Sequence, residues 1–151
     1  MTGPTPPTSR RGFWEVECDA VHAKATISLG IDPDYRGLAV VQETAIALFD
    51  WLFGRGIEKI VALTLPVNRP VLAIMRQGGF RDEGVLRQEL RALAGTGRLD
   101  QIRLGLLPGD WKTGRENFLS HIARKTAKRV GRPQGSESKT ESSHVQASSS
   151  R

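Results

Sequence analysis

Cysteine and tyrosine are almost absent: Cys18 and Tyr35 are the single copies in 151 residues. A lone cysteine excludes an intrachain disulfide and suits a reducing compartment, so the expected location is cytoplasmic. No apolar run reaches the roughly 18–20 residues that span a bilayer. No apolar h-region follows Arg10-Arg11, so neither a membrane span nor a secretory signal is expected. Internal repeats are missing, and no metal site is expected. Acidic charge is scarce only at one end. Residues 1–111 carry 13 basic and 13 acidic side chains, whereas residues 112–151 carry nine and three, which is the whole net charge of +6. The high pI, about 10.1, therefore describes the tail and not the body.

The length suits one domain. Residues 1–12 are rich in Pro, Thr and Ser and read as a disordered arm. Phe13 to Cys18 alternates apolar and acidic residues, as a half-buried strand does, and Ala23 to Ile31 is a second extended run with Asp19 to His22 as the connection. Pro33 ends that strand. From Val40 to Phe53 the period becomes helical, and Gly54 and Gly56 close the helix. Ile57 to Leu65 is rich in branched residues and reads as a buried central strand. Asn68 is placed to cap a short helix beginning near Pro70 and stopping at Gly78-Gly79. Phe80–Leu90 and Ile102–Leu107 follow as strands around a tip at Ala94 to Arg98, and Pro108-Gly109-Asp110 ends the expected folded part. The order β-β-α-β-α-β-β favours an α/β mixed sheet with helices on its faces. Thr113 to Val130 could form a basic helix with Phe118, Ile122 and Val130 on one side. Residues 132–151 read as a Ser-rich disordered tail.

The pivotal stretch is Ile31-Asp32-Pro33-Asp34-Tyr35-Arg36-Gly37-Leu38-Ala39-Val40-Val41-Gln42. A strand turning through a loop into a helix leaves backbone N–H groups without helical partners, and the positive end of the helix dipole favours an anion there.

That stretch, then Val67-Asn68, then Gly79-Phe80-Arg81-Asp82-Glu83-Gly84-Val85-Leu86-Arg87, then Gly97-Arg98-Leu99-Asp100, resembles in order and spacing the C-terminal half of the GNAT superfamily of N-acetyltransferases. The branch it is most similar to acetylates ribosomal-protein N-termini. The resemblance covers about residues 23–111 and implies a GNAT-like domain over 13–111, N-terminally shortened; the basic helix expected over 112–131 lies beyond it. It implies acetyl-CoA as cosubstrate and a primary amine, a protein N-terminus or small amine, as acceptor. It further implies that Arg36, Gly37, Leu38, Ala39, Val40, Val41 and Gln42 hold the CoA diphosphate through main-chain amides. By the same resemblance Leu29, Gly30 and Ile31 pair with the pantetheine arm, and Asn68 sits near the leaving thiol.

Three departures stand against the pattern. Ala39 and Val41 replace small residues of the family loop. Thr26 occupies the position of the strand carboxylate that serves as base in this branch, and no helix tyrosine is present. The family's N-terminal strand and helices have no counterpart. Proton removal is expected to go through water or through a carboxylate such as Glu17, with Asn68 beside the thiol.

Each feature also has a plainer reading. The loop could be a simple connection and Asn68 a simple cap. Glu15, Glu17 and Asp19 could be a solvated strand face. Cys18 reads as a buried small side chain, and Trp14, Trp51 and Trp111 as packing residues. The alternative function is a catalytically degenerate binding or assembly module. The basic residues 112–133 could then touch nucleic acid. The strand at Phe13–Cys18, if it ends the sheet, invites pairing into a homodimer.

Overall fold

A computed structural model describes residues 12–31 and 39–131. The expected arm through residue 11, Arg36, Gly37 and Leu38 of the loop, and the tail from residue 132 lie outside the described residues. The elements are β1 (Gly12–Asp19), β2 (Lys24–Ile31), α1 (Val40–Gly54), β3 (Lys59–Thr64), α2 (Arg69–Gln77), β4 (Arg81–Arg91), β5 (Arg98–Leu106) and α3 (Pro108–Val130). The strands form one mixed sheet in the order β1-β2-β3-β5-β4. Only β2 and β3 run parallel, joined by α1 as a βαβ crossover requires; the other pairs are antiparallel.

Strand alternation sends Ala25, Ile27, Ile60, Ala62, Leu104 and Leu106 to one face, where all three helices cover them in a single core. Phe49 of α1 is its hub. Its ring meets Trp14, Phe80 and Trp111 edge-on at centroid distances of 5.7, 5.7 and 5.1 Å, and Trp111 meets Phe118 at 5.8 Å. The indole N–H groups are satisfied, Trp14 donating to Thr44 Oγ1 and Trp111 to Asp50 Oδ1. The opposite face carries Glu15, Glu17, Thr26, Ser28, Leu63 and Arg103. Among the described residues no helix lies over it. There Glu83 binds both Lys59 Nζ at 2.7 Å and Arg103 Nε at 3.3 Å.

Several expectations need correction. The fold does not stop at Asp110. Proline is tolerated in a first helical turn, so α3 starts at Pro108, and Trp111, Gly114 and Phe118 are buried in the body. The helices meet backbone to backbone: a side chain at Gly114 would strike the carbonyl of Gly78, and the Phe118 ring covers Gly78. Gly79, at φ +94°, is wedged against the Asp110 carbonyl. Val130 does not share the side of Phe118; it is 81% exposed. Cys18 is exposed, because β1 is the sheet edge. Trp51 is not a core residue either: it is exposed, with the Arg55 guanidinium 5.0 Å from its ring.

Candidate functional site

The parallel pair β2 and β3 does not stay together. It is in register from Lys24–Lys59 to Ile27–Ala62 and then parts. Beyond that point β2 still follows β1 as far as Ile31, and β3 still follows β5 through Leu63 and Thr64. Each strand is therefore held on its outer side, while the inner edge of Ser28–Ile31 meets no ladder partner among the described residues. Backbone groups without partners call for a ligand or water. On the helix side the gap is a narrow slit between Leu29, Thr64, Val71 and Met75.

On the open face the gap widens into a groove of about 440 Å³. Glu15 and Glu17 come from β1, Thr26 and Ser28 from β2, Leu63 from β3 and Gln101 from β5. Register puts Glu17 directly across from Thr26 and Glu15 across from Ser28, whose Oγ donates to Glu15 Oε2 at 3.3 Å. The nearby cations Lys59 and Arg103 are committed to Glu83, which their contacts hold below the usual carboxylate value. Among the described residues neither Glu15 nor Glu17 has a cationic partner. The groove is thus acidic and open.

The mouth of α1 lies at the end of the same crossover. Ala39 occupies the N-cap position with φ −74°, ψ 10°, and makes no side-chain cap. That conformation needs no glycine, so Ala39 costs nothing in backbone strain. Glu43 N–H donates to the Ala39 carbonyl at 3.0 Å, while the amides of Val40, Val41 and Gln42 meet no acceptor among the described residues. Val41 is 5% exposed, so its methyls do not project over those amides into solvent. Gln42 is equally buried: Nε2 donates to Gln77 Oε1 at 3.4 Å, and Oε1 has no partner among the described residues. Among the described residues one charge of the first turn opposes an anion here, the exposed carboxylate of Glu43.

The structure brings some of the sequence-assigned residues together and not others. Glu17 lines the groove and Leu29 the slit. Gly30 lies beneath the end of the exposed Phe13 ring, which a side chain there would displace. Asn68 sits at the N-cap position of α2 and makes no side-chain cap, so its amide is uncommitted to the helix, but it lines neither groove nor slit. Ser28, Leu63 and Gln101 were not singled out by the sequence. The alternation of Glu15 and Glu17 was the only signal for this face. Among the described residues no cluster of His, Cys, Asp and Glu is arranged to hold a metal, and no helix is long and apolar enough to cross a membrane.

No protein-family model matches the chain, and no curated protein matches it. Solved structures do. A GCN5-related N-acetyltransferase from Brucella melitensis superposes with a TM-score of 0.64 at 19% identity, over 74% of this chain and 51% of that one. Mycobacterium smegmatis RimJ, in complex with CoA-disulfide, gives 0.63 at 19% identity, over 73% and 54%. The ribosomal-protein-S18-alanine N-acetyltransferase of Escherichia coli gives 0.56 at 22% identity, over 68% and 64%. The chain has the GNAT acetyltransferase fold and spans about half to two thirds of the length of these proteins.

Proposed function

We propose that this domain binds an acyl-CoA, acetyl-CoA foremost, in the gap between β2 and β3, and moves its acyl group to a primary amine held in the acidic groove. The observation that carries the reading is the parting of the parallel strands after Ile27 and Ala62, beside a groove lined by two carboxylates without a cationic partner among the described residues. The residues suit such a cosubstrate. The inner edge of Ser28–Ile31, without a ladder partner among the described residues, can pair with an extended amide chain. The uncapped amides of Val40, Val41 and Gln42 can take a diphosphate, joined by Arg36, Gly37 and Leu38 of the loop before them. Asn68 supplies an uncommitted amide past the end of β3.

When bound, acetyl-CoA supplies a thioester carbonyl for the amine nitrogen to attack, with loss of the thiolate. The chain's own part is positioning and proton removal. Glu15 and Glu17 draw a cationic amine into the groove. An ammonium group loses two protons in becoming an amide: Glu17 accepts one, directly or through one water, the departing thiolate takes up the other, and Ser28 steadies Glu15. Two similar structures carry names as ribosomal-protein alanine acetyltransferases, which supports a protein N-terminus as the acceptor. The lone Cys18 supports a cytoplasmic setting. The exposed outer edge of β1 supports pairing into a dimer, which light scattering would detect.

Calorimetry with acetyl-CoA tests the binding step, and thiol release over a panel of amines and N-terminal peptides tests transfer. Absence of heat counts against the reading. A second reading, a non-catalytic binding module, is favoured by the groove face having no helix over it among the described residues. Binding without thiol release on any acceptor would select that reading.

A further inference from the structure

The half of α3 that the core does not use is basic. Its buried stripe runs through Trp111, Gly114 and Phe118 at three- and four-residue spacing. The same stripe continues as His121, Lys125 and Arg129, with Arg124 and Lys128 beside it on the helix surface. None of these four cations has a carboxylate partner among the described residues. Burial first, then the charges of Lys125 and Arg124, hold the His121 imidazole below its usual value, as expected in a positive field.

The direction of α3 decides where that charge goes. Its first turns meet the C-terminal half of α1: Trp111 lies 5.1 Å from Phe49, and Arg115 binds Asp50 at 3.0 Å. Next, Asn117 Nδ2 donates to the Gln77 carbonyl at 3.0 Å, and the Gln77 side chain accepts from Gln42 in the first turn of α1. So α3 climbs toward the N-terminus of α1. At about 1.5 Å per residue, Ala39 is about 16 Å from Asp50 along α1, and Arg124 to Lys128 are about 14 to 20 Å from Arg115 along α3. Past Asn117, α3 therefore continues in the direction of the mouth of α1, and the basic stretch lies on that side of the contact.

We propose that the basic end of α3 is a second phosphate-binding element for the cosubstrate, in which Arg124, Lys125, Lys128 and Arg129 engage the phosphates on the nucleotide side of CoA. The inference rests on the acyl-CoA reading. It gives α3 two jobs, sealing the core with one half and holding a polyanion with the other.

The test is calorimetry on the full chain and on its Arg124→Glu/Lys128→Glu variant, with acetyl-CoA, 3′-dephospho-CoA and a short single-stranded RNA as probes. Both positions are exposed, and an unchanged melting temperature verifies the fold. The expected result is an affinity for acetyl-CoA at least tenfold weaker in the variant, with a smaller loss for 3′-dephospho-CoA and a shallower salt dependence. Equal acetyl-CoA affinity in parent and variant overturns the inference and leaves the acyl-CoA reading standing. An RNA affinity that falls while acetyl-CoA affinity holds overturns it in favour of a nucleic-acid surface. A parent chain that binds no acetyl-CoA removes the acyl-CoA reading and this element with it.

Discussion

Glu17 of β1 and Thr26 of β2 are direct partners across the antiparallel ladder, and both line the groove. A carboxylate thus faces the space beside Thr26 from the neighbouring strand. If Glu17 removes the proton, Glu17→Gln lowers the transfer rate by about 10²- to 10⁴-fold while leaving acetyl-CoA affinity unchanged. Steady-state kinetics and calorimetry on one preparation separate the two effects. Unchanged turnover would remove Glu17 from proton transfer.

Ala39 leaves the helix mouth without a side-chain cap. Ala39→Asp would supply one, stabilising the free protein by about 0.5–2 kcal/mol. The new carboxylate would compete with a diphosphate for the same amides and repel it, so acetyl-CoA affinity should fall. Melting temperature and calorimetry should move in opposite directions. A gain in both would show that those amides do not serve the cosubstrate.

Much of this was legible in the sequence, for identifiable reasons. The run from Ala23 to Phe53 changes period from two to 3.6 at one loop, so the strand–helix unit could be read directly, whereas the absence of a side-chain cap at its mouth could not. Ile60, Val61 and Ala62 are apolar on successive positions, which only a central strand tolerates, and all three are buried. The docking of α3 was not legible. Its signal is a glycine at 114 meeting a glycine at 78, a contact that no local pattern contains, and Pro108-Gly109 reads as a terminator until one knows that a helix starts there. The groove was only half legible. Ser28, Leu63 and Gln101 converge because β5 lies between β3 and β4, an order that a linear reading cannot supply.

Phe118 is fully buried against Trp111 and Gly78. Phe118→Ala should therefore cost about 3–5 kcal/mol. Truncation before Lys112 should leave no cooperatively folded domain, since Phe118 and Gly114 go with it. Denaturant unfolding followed by circular dichroism measures both. A truncated chain with the parent's midpoint would make α3 an appendage.

Glu83 has its carboxyl held below the ordinary 4.5, first by the hydrogen bond from Lys59, with burial opposing and Arg103 adding to the lowering. A depressed folded value means that its stabilisation is present above the unfolded value and is lost as pH falls from about 4.5 through the folded value. Glu83→Gln should thus reduce the drop in melting temperature between neutral pH and acid. An identical drop in the variant would assign the acid sensitivity to other groups.

The central claim is that the inner edge of β2 beyond Ile27, together with the first amides of α1, receives an acyl-CoA. Hydrogen exchange read peptide by peptide, with and without acetyl-CoA, tests it most directly. The account predicts fast exchange in the free chain and strong protection on addition of acetyl-CoA in peptides covering Ser28–Ile31 and Val40–Gln42. No protection in those peptides at saturating acetyl-CoA would contradict it.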